Sequence, residues 1–157
     1  MVFQITLTRI CHLAAVTMSA FILTVFSAYA DDIVFVANKN VCVDSLTKDE
    51  VRKIFLGKIS MWPDNSPIRF VIVQQVDTHK RFVEKYANKT EEQFWAWWKR
   101  KLFTGSGTVP IRFVSEADVL IYVANTPGGI GYISSNVKIG DNVKVLHVSD
   151  NEGKGTK

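Results

Sequence analysis

Asp77-Thr78-His79-Lys80-Arg81 brings a carboxylate, a hydroxyl, an imidazole, an ammonium and a guanidinium together just after the apolar run Ile68–Gln74. Apart from the carboxylate, these groups can hold an oxyanion. If the run is a strand and a helix opens near Asp77, the first N–H groups of that helix have no intrahelical partner. Its dipole also favours negative charge, and Lys80 and Arg81 would add charged donors. The same residues admit a plainer reading, in which Asp77 caps the helix and Lys80-Arg81 is a solvated face. A second stretch, Gly105-Ser106-Gly107-Thr108 within "FTGSGTVP", has the composition of a phosphate cradle. It follows a helix-like segment, however, and the partial charge at a helix C-terminus repels anions. Gly105 there suits a left-handed cap, and Pro110 prevents the helix from continuing.

Other chemistries find less support. His79 and His147 are far apart in sequence, His12 lies near the N-terminus, and no Cys/His/Asp spacing resembles a metal-ligand set. Ser106 lies between glycines but lacks the spacing of a nucleophile elbow. The sequence therefore predicts binding rather than catalysis, with no cofactor and no metal. Aromatic residues crowd "EEQFWAWWKRKLF", where Phe94, Trp98 and Leu102 share one helical face and are expected to pack in the core. Trp95 and Trp97 flank that face and are candidates for a partner surface. The basic run Lys99-Arg100-Lys101 suits a helix C-terminus, so nucleic-acid stacking is not expected.

The surrounding elements follow from local pattern. Ile33–Asn38 reads as a buried strand. Thr47 with Glu50 forms a capping box that opens a helix ending at Gly57, and Met61–Pro67 is turn-rich. Ile68–Gln74 is the second strand, and Asp77 caps a helix through about Ala87. Thr90 with Gln93 opens the helix Glu91–Phe103, and Val109–Val114 is a third strand. Ser115 with Asp118 opens Glu116–Asn125, which ends before Pro127. Gly128–Ser134 and Val143–Val148 are further strands. Such alternation predicts a single α/β domain with a mixed sheet flanked by helices.

The first thirty of the 157 residues read as a secretory signal: Arg9, the apolar stretch Ile10–Phe26, and Ala28-Tyr29-Ala30 before Asp31. Cleavage near Ala30 would leave a periplasmic or secreted chain with no membrane span. It would consist of a domain at 31–148 and a polar, disordered tail at 149–157. Only Cys42 would remain, too few for an internal disulfide, and its valine neighbours suggest a small buried hydrophobe. The mature charge would be about +3. That mildly favours small anions and falls short of a nucleic-acid footprint.

Two motifs carry a resemblance: Ile54-Phe55-Leu56-Gly57-Lys58-Ile59 followed by Trp62, and Thr126-Pro127-Gly128-Gly129-Ile130-Gly131-Tyr132-Ile133. With the segments between them, roughly Val41 to Ser134, the chain resembles the phosphate-type periplasmic solute-binding proteins of ABC transporters. The resemblance implies one lobe of a type II periplasmic binding protein, where the full family has two lobes closing over the ligand. It also implies a solute-binding role toward phosphate or a similar oxyanion, for ABC-type uptake. The family's anion loop falls on Asp77, Thr78, His79, Lys80 and Arg81, and Gln75 or Gln74 stands where the family has a pocket arginine. The loop's glycines have no counterpart here. An alternative reading is a ligand-free, single-lobe interaction module that binds another envelope protein or a transporter.

Overall fold

The computed structural model describes residues 32–105 and 110–150, all within one compact unit, Asp31–Lys157. The expected signal at 1–30 lies outside the described residues, as do most of the GSGT stretch and the end of the tail. The strands are β1 (Ile33–Asn38), β2 (Ser45–Thr47), β3 (Arg69–Val73), β4 (Ile111–Phe113), β5 (Gly129–Ser134) and β6 (Val143–Ser149). The helices are α1 (Lys48–Phe55), α2 (Val76–Phe82), α3 (Glu91–Phe103) and α4 (Glu116–Asn125), with a π-helical turn at Val83–Ala87 after α2. This is an α/β domain with a mixed six-stranded sheet of order β2-β6-β1-β5-β3-β4.

Strand direction decides what meets at each end of the sheet. β3 runs parallel to β4 and β5, while β1 is antiparallel to β5 and β6. The C-terminal ends of β3, β4 and β5 therefore share one end with the start of β1. α2 follows β3 and α4 follows β4, so both helices begin at that end. Period-two alternation sorts the two faces. Gly131 on β5 lies against Val119 and Val123 of α4, while Tyr132 turns to the opposite face. There Phe35, Phe55, Phe82 and Tyr132 pack as a buried aromatic cluster, with the Phe82 and Tyr132 rings stacked 3.9 Å apart.

The motifs behind the family resemblance are packing devices. Gly57 ends α1 at φ +64°, and a Cβ there would come within 2.7 Å of the Trp98 ring. The same turn is held by Trp97 Nε1 donating to Leu56 O (3.1 Å) and Lys101 Nζ donating to Gly57 O (2.7 Å). Gly128 sits at φ +73°, where a Cβ would meet Pro67 O at 2.2 Å, and its carbonyl accepts from Trp62 Nε1.

Local signals set most boundaries. Capping boxes at Thr47/Glu50 and Thr90/Gln93 open α1 and α3, and Ser115 accepts from Asp118 N at the start of α4. Gly105 takes the left-handed conformation after α3. Four expectations need correction. Asp77 does not cap α2: Gln75 is the N-cap, with no side-chain bond, and Asp77 lies inside the first turn. Cys42 is exposed: the chain bends there between β1 and β2, and Val41, not Cys42, is buried. Leu102 is about half exposed, because α3 outruns the core after Trp98. Ser149, expected in a disordered tail, belongs to β6, and Asp150 pairs with Lys48 at 2.6 Å.

Candidate functional site

The start of α2 lies at the shared C-terminal end of β3, β4 and β5. Gln74 N donates to Phe113 O (2.7 Å), tying the exit of β3 to β4 just before the helix. α1, α3 and α4 each have a side-chain cap, and α2 has none. Its first N–H groups, from Val76, Asp77 and Thr78, therefore lack the usual side-chain acceptor. Gln75, Val76, Asp77 and Lys80 are exposed there. Arg81 is half-buried, and its Nε donates to Asp77 O at 3.2 Å. Lys80 also helps hold the Glu92 carboxyl below its ordinary range, after that group's bonds to Thr90 and the backbone.

Thr78 and His79 point the other way. Thr78 is buried and donates to Glu116 Oε1 at 2.8 Å. The same oxygen accepts from Ser134 N at 2.8 Å, so Glu116 joins α2, α4 and β5 beneath the site. His79 is 3% exposed, and its Nδ1 lies 2.6 Å from the Tyr132 hydroxyl. Burial lowers its pKa from 6.5 to about 4, so the ring is neutral at neutral pH. Burial likewise pushes the Tyr132 hydroxyl well above its ordinary value. Of the residues expected to meet an anion, the surface holds Gln75, Asp77, Lys80 and Arg81; Thr78 offers only its backbone N–H, and the N–H of His79 already donates to Gln75 O (2.9 Å).

Glu116 and Tyr132 went unnoticed in the sequence. Ser115/Asp118 placed Glu116 at a helix start, but no local pattern distinguishes a buried acid from an exposed one there. Tyr132 lies in a continuous apolar run whose partners are distant in sequence. Trp95 is half-buried, its ring 5.4 Å from His79, with the Arg112 guanidinium 5.1 Å from its centroid. Trp97 braces the Gly57 turn and carries Lys58 and Lys89 at 5.5 and 5.9 Å. Among the described residues no group of three or more His, Cys, Asp or Glu could hold a metal ion. Nor is any described helix long and apolar enough to cross a membrane.

Comparison with known proteins gives consistent relatives. No curated protein matches the chain. Among solved structures, one from Clostridium perfringens, described as a phosphate ABC transporter substrate-binding protein with bound phosphate, aligns with a TM-score of 0.59 at 24% identity. The alignment covers 78% of this chain and 46% of that one. PstS from Borrelia burgdorferi aligns with a TM-score of 0.59 at 20% identity, covering 80% and 49%. An ABC-type phosphate transport receptor from Vibrio cholerae gives 0.51 at 15%, covering 75% and 46%. At these identities the likeness establishes the fold, and the chain spans about half the length of each. The sequence itself matches the PBP superfamily domain over residues 23–155, and the chain belongs to that family.

Proposed function

We propose that this chain is a periplasmic solute-binding protein that holds a small oxyanion, phosphate or one like it, at the start of α2. It would act as the external receptor for ABC-type uptake, after cleavage of a signal at 1–30. The observation that carries this reading is the uncapped start of α2 at the C-terminal end of β3, in a chain of the PBP superfamily domain family. The N–H groups of Val76, Asp77 and Thr78 supply backbone donors, and Gln75, Lys80 and Arg81 lie beside them. Asp77 favours an anion that still carries a proton to donate to it. His79 contributes position through its bond to Tyr132, and Thr78 through its bond to Glu116.

A second reading is favoured by the side chains that the site withholds. Gln75 or Gln74 replaces a charged partner, and the Thr78 hydroxyl and His79 ring are engaged inside. A lobe of this kind would bind an envelope protein, with Trp95 in the contact surface. Titration calorimetry with phosphate and sulfate, paired with amide NMR of Val76–Thr78, separates the two. Heat together with shifts at those amides supports anion binding. No heat and no shifts at millimolar anion overturn it.

A further inference from the structure

A second surface lies along β4, away from the start of α2. Among the described residues β4 is the last strand of the sheet and pairs only with β3. Phe113 O accepts from Gln74 N, so the backbone groups of Phe113, and of Ile111 two residues earlier, face β3. By alternation, the N–H and C=O of Arg112 face outward on an open edge. Beside that edge lies a groove of about 320 Å³ lined by Trp95, Trp98, Lys99, Leu102, Pro110 and Arg112. Among the large exposed apolar side chains, Ile111 lies on β4, Val114 directly follows it and Leu102 lines the groove.

The groove is positive as well as apolar. The Arg112 guanidinium lies over the Trp95 ring at 5.1 Å and donates no side-chain hydrogen bond among the described residues, so its N–H fork is available to a carboxylate. Lys99 lies one helical turn after Trp95. Neither Lys99 nor Arg112 makes an ion pair among the described residues. We propose that this groove receives an extended, acidic segment of a partner protein, which adds to the sheet as a seventh strand beside β4. The Arg112 backbone bonds the added strand, its guanidinium and Lys99 pair with acidic side chains, and Trp95 and Leu102 cover the apolar side chains between them. Open backbone donors and acceptors favour a polypeptide over a nucleic acid, which would use the cations and the indole but leave the strand edge unpaired.

The test uses the mature chain and a blocked hexapeptide of alternating Val and Glu, with a Val/Lys peptide as control. Binding is followed by the fluorescence difference between wild type and Trp95→Phe, and by amide exchange at Arg112. The expected result is that the Glu peptide binds, the Lys peptide does not, and exchange at the Arg112 amide slows about tenfold or more. Arg112→Glu, an exposed substitution whose folding is checked by circular dichroism, loses binding about tenfold or more, while Arg112→Lys keeps part of it. Any of several results overturns the proposal: no binding of the Glu peptide at millimolar concentration, equal binding by Arg112→Glu, or unchanged exchange at Arg112. Tighter occupation of the groove by a short oligothymidylate, or by a second copy of the chain in sedimentation, does so too.

Discussion

His79 Nδ1 lies 2.6 Å from the Tyr132 hydroxyl, in a core closed by Phe82, Phe94 and Trp95. The two groups share one hydrogen bond, in which the donor is set by the tautomer of the ring. Nε2 is buried without a conventional partner, and the ring stands edge-on to Phe94 at 5.4 Å. This arrangement accepts only a neutral imidazole. Its folded pKa of about 4 lies below the ordinary 6.5, so the unfolded chain binds the proton more readily. The resulting stability is fully present above about pH 6.5 and is lost as pH falls toward 4. The loss approaches about 1.4 kcal/mol per pH unit within that window, on the order of 2–4 kcal/mol in all. Urea unfolding at several pH values reads this slope. His79→Phe should flatten it between pH 4 and 6.5, and an unchanged slope in that variant would refute the assignment.

Glu116 offers a second test, because one oxygen accepts from both Thr78 Oγ1 and Ser134 N while buried at the start of α4. Glu116→Ala leaves two buried donors without their acceptor and is expected to cost about 3 kcal/mol. Glu116→Gln keeps an amide oxygen in place and should cost about 1 kcal/mol. Chemical denaturation at pH 7 distinguishes them, and equal losses would show that the carboxylate's charge, rather than its acceptor geometry, holds the three elements together.

What the sequence disclosed and what it concealed follow from the range of the interactions. The boxes at Thr47/Glu50 and Thr90/Gln93 and the cap at Ser115/Asp118 span three residues each, so their side chains could be read directly. The apolar runs of β1, β3 and β5 were equally plain. The insertion of β1 between β6 and β5 was not, because those pairings join residues about a hundred positions apart. At the site, residue type concealed residue direction. Thr78 and His79 stand four and three residues before buried Phe82, a spacing that puts them on its face of the helix. Their polarity suggested a ligand, while their partners Glu116 and Tyr132 lay 38 and 53 positions away. Asp77 misled as a cap because Gln75 starts the helix with no side-chain signal of its own.

The tight turn at Gly128 predicts a sharp contrast between two glycines. Gly128→Ala places a methyl group at 2.2 Å from Pro67 O in a left-handed conformation, with the Trp62–Gly128 bond alongside. Backbone cannot move aside as a side chain would, so the loss should be roughly 3 kcal/mol or more. Gly140→Ala meets nothing within 4 Å and should stay within about 0.5 kcal/mol. Thermal unfolding of both variants checks the pair. A mild Gly128→Ala would mean that the "TPGGIGYI" motif is not held by this contact.

Gln75 is the position from which the anion reading can be strengthened rather than removed. It is exposed, it precedes the uncapped first turn of α2, and its side chain makes no cap bond. Gln75→Arg would put a guanidinium beside the N–H groups of Val76, Asp77 and Thr78. A charge-assisted bond to an oxyanion contributes about 1.5–3 kcal/mol, so phosphate should bind about ten- to a hundredfold more tightly than to wild type. Gln75→Glu should weaken binding through repulsion. Because the position is at the surface, neither change should alter folding by more than about 0.5 kcal/mol, which keeps the comparison one of binding alone. Calorimetry with phosphate gives the affinities, and amide shifts at Val76–Thr78 report whether the anion sits at the helix start. If Gln75→Arg gains no affinity, or gains it without shifts at those three amides, the site of anion binding is not the start of α2.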